Sequence, residues 1–209
     1  MKTIINLETW NRTEHYNLFR KYDVPFWSVS ADVDVTNAYR SCKAGGYSFA
    51  ALYHWASAKA INEIDAMKMR IENEKPVLFD TIHVSTTIAR PDGTFGFSFT
   101  PFDVDFEAFH ENLKTEMERV KAESGLKSPY SGSDVVYYTV LRKVKFSMVE
   151  HAHSLGDGAA IPFLVFGESF AENGKMLLPH GLRIHHGLVD GQHVGRYYER
   201  LEEILNSFR

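Results

Sequence analysis

Cysteine is all but absent from this 209-residue chain. Cys42 stands alone, so no internal disulfide is available and a reducing compartment is expected. Met1 is followed by Lys2, Thr3, Asn6, Glu8 and Thr9 and not by an apolar leader, and no apolar run approaches the length of a membrane span. Both features predict a cytoplasmic protein with no membrane partner. No Gly-rich phosphate loop follows a strand-like run, which leaves a nucleotide-binding reading without support. Internal repeats and low-complexity tracts are missing, so a solenoid is excluded. Neither sign of charge is concentrated: 23 Lys and Arg face 27 Asp and Glu, a net charge of −4, which argues against nucleic acid as a partner.

What the chain does have is 44% hydrophobic and 13% aromatic content, enough for one sizeable core. We read residues 1–209 as a single domain. Thr9 to Lys21 places Trp10, Tyr16, Leu18 and Phe19 at helical spacing. Phe26 to Val35 alternates Val29, Ala31, Val33 and Val35 with Ser28, Ser30, Asp32 and Asp34, the period of a strand with one buried face. Ser48 is a plausible N-cap for a largely buried helix reaching Ile64. Four β-prone runs follow, Met67 to Ile71, Val77 to Phe79, Ile82 to Ala89 and Thr94 to Phe99, read as antiparallel strands. Phe106 to Lys121 carries Phe106, Phe109, Leu113, Met117 and Val120 on one stripe and predicts an amphipathic helix. Further strands are expected at Val135 to Val140 and Val144 to Val149. Asn173-Gly174 is a hairpin signal between Ile161–Phe170 and Lys175–Ile184. A final helix is expected from about Gln192 to Phe208. The fold class predicted is α+β, a two-layer α/β sandwich whose mixed, mainly antiparallel sheet is covered by helices.

The segment Ile184-His185-His186-Gly187-Leu188-Val189-Asp190-Gly191 lies where a strand ends and the last helix begins, a place where scaffolds present reactive groups. A histidine takes a proton near neutral pH, an aspartate four residues on can hold local geometry, and Gly191 would allow a sharp turn. Two rim histidines can be merely polar, and a His-Asp pair can ligate metal. Adjacent strand residues face opposite ways, so His185 and His186 do not readily share an ion. His151 and His153 are a second metal candidate, without clear third and fourth ligands. The expectation is no metal.

His-His-x-x-x-Asp-Gly before a C-terminal apolar helix, together with Trp10-x-Arg12-x-Glu14-His15 and Leu177-Leu178-Pro179, resembles the chloramphenicol acetyltransferase family from Trp10 to Ser207. More loosely it resembles dihydrolipoamide acyltransferases and peptide-synthetase condensation domains. The resemblance implies a homotrimer with active sites between subunits, acetyl-CoA as co-substrate, and His186 as general base in a direct transfer to a hydroxyl of chloramphenicol or a related small molecule. It also implies an ion pair between Asp190 and Arg12, a bidentate-capable partnership that would lock the loop. Three positions depart from the family. Its oxyanion-stabilising serine falls at Met148, next to Ser147, in the strand expected at Val144–Val149; its water-holding threonine falls at Val165; and its drug-contacting Phe-Tyr falls at Leu18-Phe19. These five residues are therefore the candidates for an oxyanion or acceptor pocket. The alternatives are the same chemistry on a different acceptor, or a trimeric binding protein with little catalysis. Cys42 is read as a small core residue.

Overall fold

A computed structural model describes residues 1–152 and 160–209. The elements run β1 (Lys2–Ile4), α1 (Thr13–Phe19), β2 (Phe26–Asp34), α2 (Thr36–Gly45), α3 (Phe49–Asn62), α4 (Asp65–Lys68), β3 (Met69–Glu72), β4 (Lys75–Phe79), β5 (His83–Ala89), β6 (Phe95–Phe97), α5 (Phe106–Ala122), β7 (Val135–Val140), β8 (Phe163–Phe166), β9 (Phe170–Glu172), β10 (Lys175–His185) and α6 (Gly191–Ser207). The main sheet has the order β2-β10-β8-β7-β5-β6, with β9 also paired to β10. A small sheet, β1-β4-β3, stands apart. In the main sheet β7 pairs parallel with β5 and with β8, and the other ladders are antiparallel. The α+β sandwich expected from the pattern is thus present.

Register assigns the two faces. On β10, Leu178, Leu182 and Ile184 point to the helices, opposite Val33, Val29 and Trp27 of β2, which is the alternation read from the sequence. Leu164 and Phe166 of β8 and Val136 and Tyr138 of β7 complete that inner face. Ser48 caps α3 by accepting from the Ala51 N–H, and every residue from Ala51 to Ala58 is buried. α3 therefore packs between the sheet and the flanking helices α5 and α6. The outward face carries Ser28 and Ser30, Gly181 and Arg183, Phe163 and Val165, and Tyr137 and Thr139 in corresponding positions.

β10 tolerates Pro179 inside a central strand for a definable reason. The Gly167 N–H donates to the Pro179 carbonyl at 2.8 Å. Both polar groups of a residue in an antiparallel ladder face the same side, so the missing N–H faces Gly167, one residue beyond the end of β8, and the proline gives up only half of the outermost rung. The Asn173-Gly174 turn takes φ of 50° and 79°, the left-handed pair that a two-residue hairpin requires, and it closes β9 onto β10.

Several expectations need correction. Residues 144–149 form no strand; the chain between β7 and β8 is irregular there, and Val144 and Met148 are exposed. The backbone there is held by single bonds, the Val144 N–H on the Leu141 carbonyl and the Glu168 N–H on the Val144 carbonyl, instead of a ladder. Met67 and Lys68 belong to α4, so β3 starts at Met69. β5 is not simply antiparallel to its neighbours, since it pairs parallel with β7. α2 and β1 were not expected. α2 has Ala38 and Cys42 on its buried side, too few apolar residues to declare a helix by period.

Candidate active site

His186 emerges just beyond the end of β10, with its backbone N–H on the Pro25 carbonyl at 2.8 Å. Its imidazole is half-buried and stacks on Phe19 of α1, ring centroids 4.1 Å apart and planes 9° apart. It also stacks on Trp27 of β2, at 5.0 Å and 26°. Trp27 is in turn held by its indole N–H, which donates to the Val189 carbonyl at 3.3 Å. The Nδ1 of His186 is shut away from solvent and has no hydrogen-bond partner among the described residues. His185 points elsewhere: its ring meets Phe26 edge-on at 5.3 Å, and its Nδ1 accepts from the Gly187 N–H at 3.1 Å. Burial is the main cause that pushes the His185 pKa down to about 4, reinforced by His186 and Arg183.

Arg12 and Asp190 meet at 2.5 Å, Nη1 to Oδ2. Asp190 is also the N-cap of α6, its carboxylate accepting from the Gln192 N–H at 3.1 Å, while His193 Nδ1 accepts from the Asp190 N–H to close a capping box. Partial burial raises the Asp190 pKa, and the hydrogen bond and charge of Arg12, helped by His193, outweigh it, so the carboxyl sits below its usual range. No hydrogen bond joins Asp190 to His186 among the described residues. The carboxylate therefore fixes the loop between β10 and α6 and leaves the imidazole unpaired. Asp190→Ala removes both the cap and the ion pair and is expected to cost about 2–3 kcal/mol, with Asp190→Asn, which keeps the cap, costing less; urea titration of both variants checks the order.

Gly191 was expected to make the turn, yet it is the first residue of α6 and is not left-handed. The glycine this loop needs is Gly187. A Cβ there would lie 2.9 Å from the His185 ring and 3.4 Å from the Tyr16 Cα, so the loop approaches α1 as closely as it does because that side chain is missing.

The candidate pocket residues separate into three places. Phe19 touches His186, whereas Leu18, its neighbour, is 51% exposed. Val165 is buried on the outward sheet face, in one register row with Thr139 of β7, Gly181 of β10 and, across from Gly181, Ser30 of β2. Ser147 lines a cavity of about 340 Å³ with Ser30, Ala31, Asp32, Lys145 and Phe146, and Met148 is 65% exposed. Since 144–149 is not a strand, the alternation that set Ser147 against Met148 does not operate there. Trp27, Ser30 and Thr139 were missed. For Trp27 a signal existed in its position one residue after Pro25-Phe26, beside the His-His strand; Ser30 and Thr139 read simply as polar positions on strands.

Among the described residues no group of three or more His, Cys, Asp or Glu is arranged to hold a metal ion; His153 of the second candidate pair lies outside the described residues. Among the described residues no helix is long and apolar enough to cross a membrane. Cys42 is buried, and burial pushes its thiol up to about 11, so it stays protonated and inert at neutral pH.

A histidine held on two aromatic rings at a strand end, over an α+β sandwich, defines an acetyltransferase in light of the proteins this chain is similar to. The chain belongs to the chloramphenicol acetyltransferase family, whose profile matches residues 1–202. It is 25% identical to chloramphenicol acetyltransferase 3 of Escherichia coli over 98% of this chain and 97% of that one. A chloramphenicol acetyltransferase of Staphylococcus aureus is likewise 25% identical, over 97% of this chain and 98% of the other. A solved chloramphenicol acetyltransferase structure superposes with a TM-score of 0.89 at 28% identity, covering 98% of this chain and 100% of that one. A probable dihydrolipoamide acetyltransferase from Listeria monocytogenes shares the fold at a TM-score of 0.65 and 15% identity, covering 99% and 94% of the two chains. These relatives support an acetyltransferase over the alternative of a trimeric binding protein with little catalysis.

Proposed function

We propose that this enzyme moves the acetyl group of acetyl-CoA to a hydroxyl of chloramphenicol or a closely related small molecule, with His186 as general base. The observation that carries this reading is the placement of His186, whose ring is fixed by Phe19 and Trp27 with Nδ1 enclosed, so that proton exchange with a substrate falls to Nε2. Nε2 takes the hydroxyl proton as the oxygen bonds to the thioester carbon; the tetrahedral oxyanion then collapses, the C–S bond breaks, and the imidazolium returns its proton to the leaving thiolate. Cys42, buried and protonated, is no candidate acyl carrier, which supports direct transfer without an acyl-enzyme.

The oxyanion donor is to be sought in the hydroxyls of Thr139 and Ser30, which stand in the row of Val165 and Gly181, and not at Met148, whose thioether has no hydrogen to give. That row lies five residues from His186 along β10, roughly 16 Å at strand rise. One small acceptor does not span such a gap within a single chain. This supports a homotrimer in which the imidazole of one copy faces the outward sheet wall of the next, in the cytoplasm where acetyl-CoA is made available.

Thiol release from acetyl-CoA, followed with a disulfide reagent in the presence and absence of chloramphenicol, tests the proposal. Chloramphenicol-dependent release is expected. Release with other alcohols and none with chloramphenicol would leave the general base standing and overturn the acceptor.

A further inference from the structure

Behind the Val165 wall, on the helix side of the sheet, runs a chain of buried polar groups that the reaction above does not use. Tyr138 (β7), Ser57 (α3), Tyr197 (α6) and His180 (β10) are all within 1% of complete burial. Ser57 Oγ lies 2.7 Å from the Tyr138 hydroxyl and 2.6 Å from that of Tyr197. The Tyr197 hydroxyl is 2.8 Å from His180 Nε2, and His180 Nδ1 is 2.9 Å from the Val165 carbonyl oxygen. His180 is also stacked on Phe166, centroids 4.2 Å apart.

Counting hydrogens fixes the direction of every bond. A carbonyl only accepts, so Nδ1 of His180 carries the hydrogen; burial keeps the ring neutral, so Nε2 accepts from Tyr197. Tyr197 has then spent its one hydrogen, so Ser57 donates to it, and Tyr138 donates to Ser57. The opposite tautomer would set the Nδ1 lone pair against the carbonyl lone pairs of Val165. One arrangement alone satisfies the chain.

The next residue of β10 faces the other way. A Cβ on Gly181 would come within 3.0 Å of Val165 Cγ1 and 2.8 Å of Ser30 Oγ, so the Val165 side chain sits hard against this strand. Val165 is gripped from both faces, through its carbonyl by His180 and through its side chain by the groove at Gly181.

We propose that His180 is a positioning residue for the acceptor: the ordered chain from Tyr138 through Ser57 and Tyr197 to His180 and the Val165 carbonyl fixes the junction of β8 and β10, and with it the wall against which the acceptor is placed. This rests on the function proposed above. A purely structural network would lower stability without choosing between substrates, whereas a positioning network acts on the acceptor and spares acetyl-CoA.

The test combines long-range proton–nitrogen spectra of His180 at neutral pH with the kinetics of Tyr197→Phe, Ser57→Ala and His180→Asn. The unsubstituted enzyme is expected to show the Nδ1–H ring. Tyr197→Phe, or Ser57→Ala should the first fail to fold, is expected to raise the KM for chloramphenicol about 3- to 10-fold with the KM for acetyl-CoA unchanged. His180→Asn, whose amide still offers a donor where Nδ1 stood, should fall between. An Nε2–H ring overturns the inference, as does a variant that melts earlier while its chloramphenicol KM stays at the original value. Absence of turnover in the unsubstituted enzyme would count against the proposed function instead, and chloramphenicol affinity by calorimetry would then read the wall.

Discussion

His186→Ala is expected to lower kcat with chloramphenicol by roughly 10²- to 10⁴-fold, the usual worth of a general base, while leaving the fold in place. The structural part of that expectation has its own basis. The ring makes no hydrogen bond among the described residues, and its backbone bond to Pro25 survives the substitution. What is lost is contact with Phe19 and Trp27, at the edge of the core. Circular dichroism melts alongside thiol-release kinetics would therefore separate the two effects. A variant that turns over at the original rate would remove the imidazole from the chemistry, and one that no longer folds would make it a packing residue.

Acid should weaken the protein well before its carboxylates titrate. Burial is the leading cause that lowers His54 to about 4, His180 to about 3 and His185 to about 4. In the unfolded chain these imidazoles return to about 6.5, so between that value and pH 4 the unfolded state binds protons that the folded state refuses. The stability they contribute is complete above pH 6.5 and is lost as pH falls toward 4. Between pH 7.5 and 5 each accounts for about 2 kcal/mol, less in sum because His180 and His54 feel one another, and a loss of several kcal/mol overall is expected. Urea midpoints at the two pH values, at constant slope, measure it. Equal midpoints would mean that these rings reach water in the native protein.

Much of this architecture could be read from the chain because its signals are local. The alternation of Val29 to Val35, the stripe on Phe106 to Val120, the Ser48 cap and the Asn173-Gly174 turn each specify geometry within a few residues. The fold had to resolve the rest. Nothing near Val144 to Val149 says that this run joins no ladder, and nothing in β5 says that its partner β7 lies some fifty residues on and runs parallel. The site divides in the same way. His186, Asp190 and Arg12 came from two short motifs, and Phe19 came from the family's drug-contacting pair, which falls at Leu18-Phe19. Trp27 meets the imidazole only through the pairing of β2 with β10, which sets it opposite Ile184. The ladder of His180, Tyr197, Ser57 and Tyr138 draws on four elements spread over 140 positions, a distance across which sequence spacing carries no information.

β10 is tied along its length to β2, to β8 and, at its start, to β9, and the loop bearing His186 hangs directly from its last rung. A reactive group mounted on a mobile lid can be lost to local fraying while the body of the protein persists. Here the mounting is the most densely laced member of the molecule, so aim and integrity share one threshold. On warming, the enzyme should keep its precision until the whole assembly of strands gives way, and inactivation should report global melting.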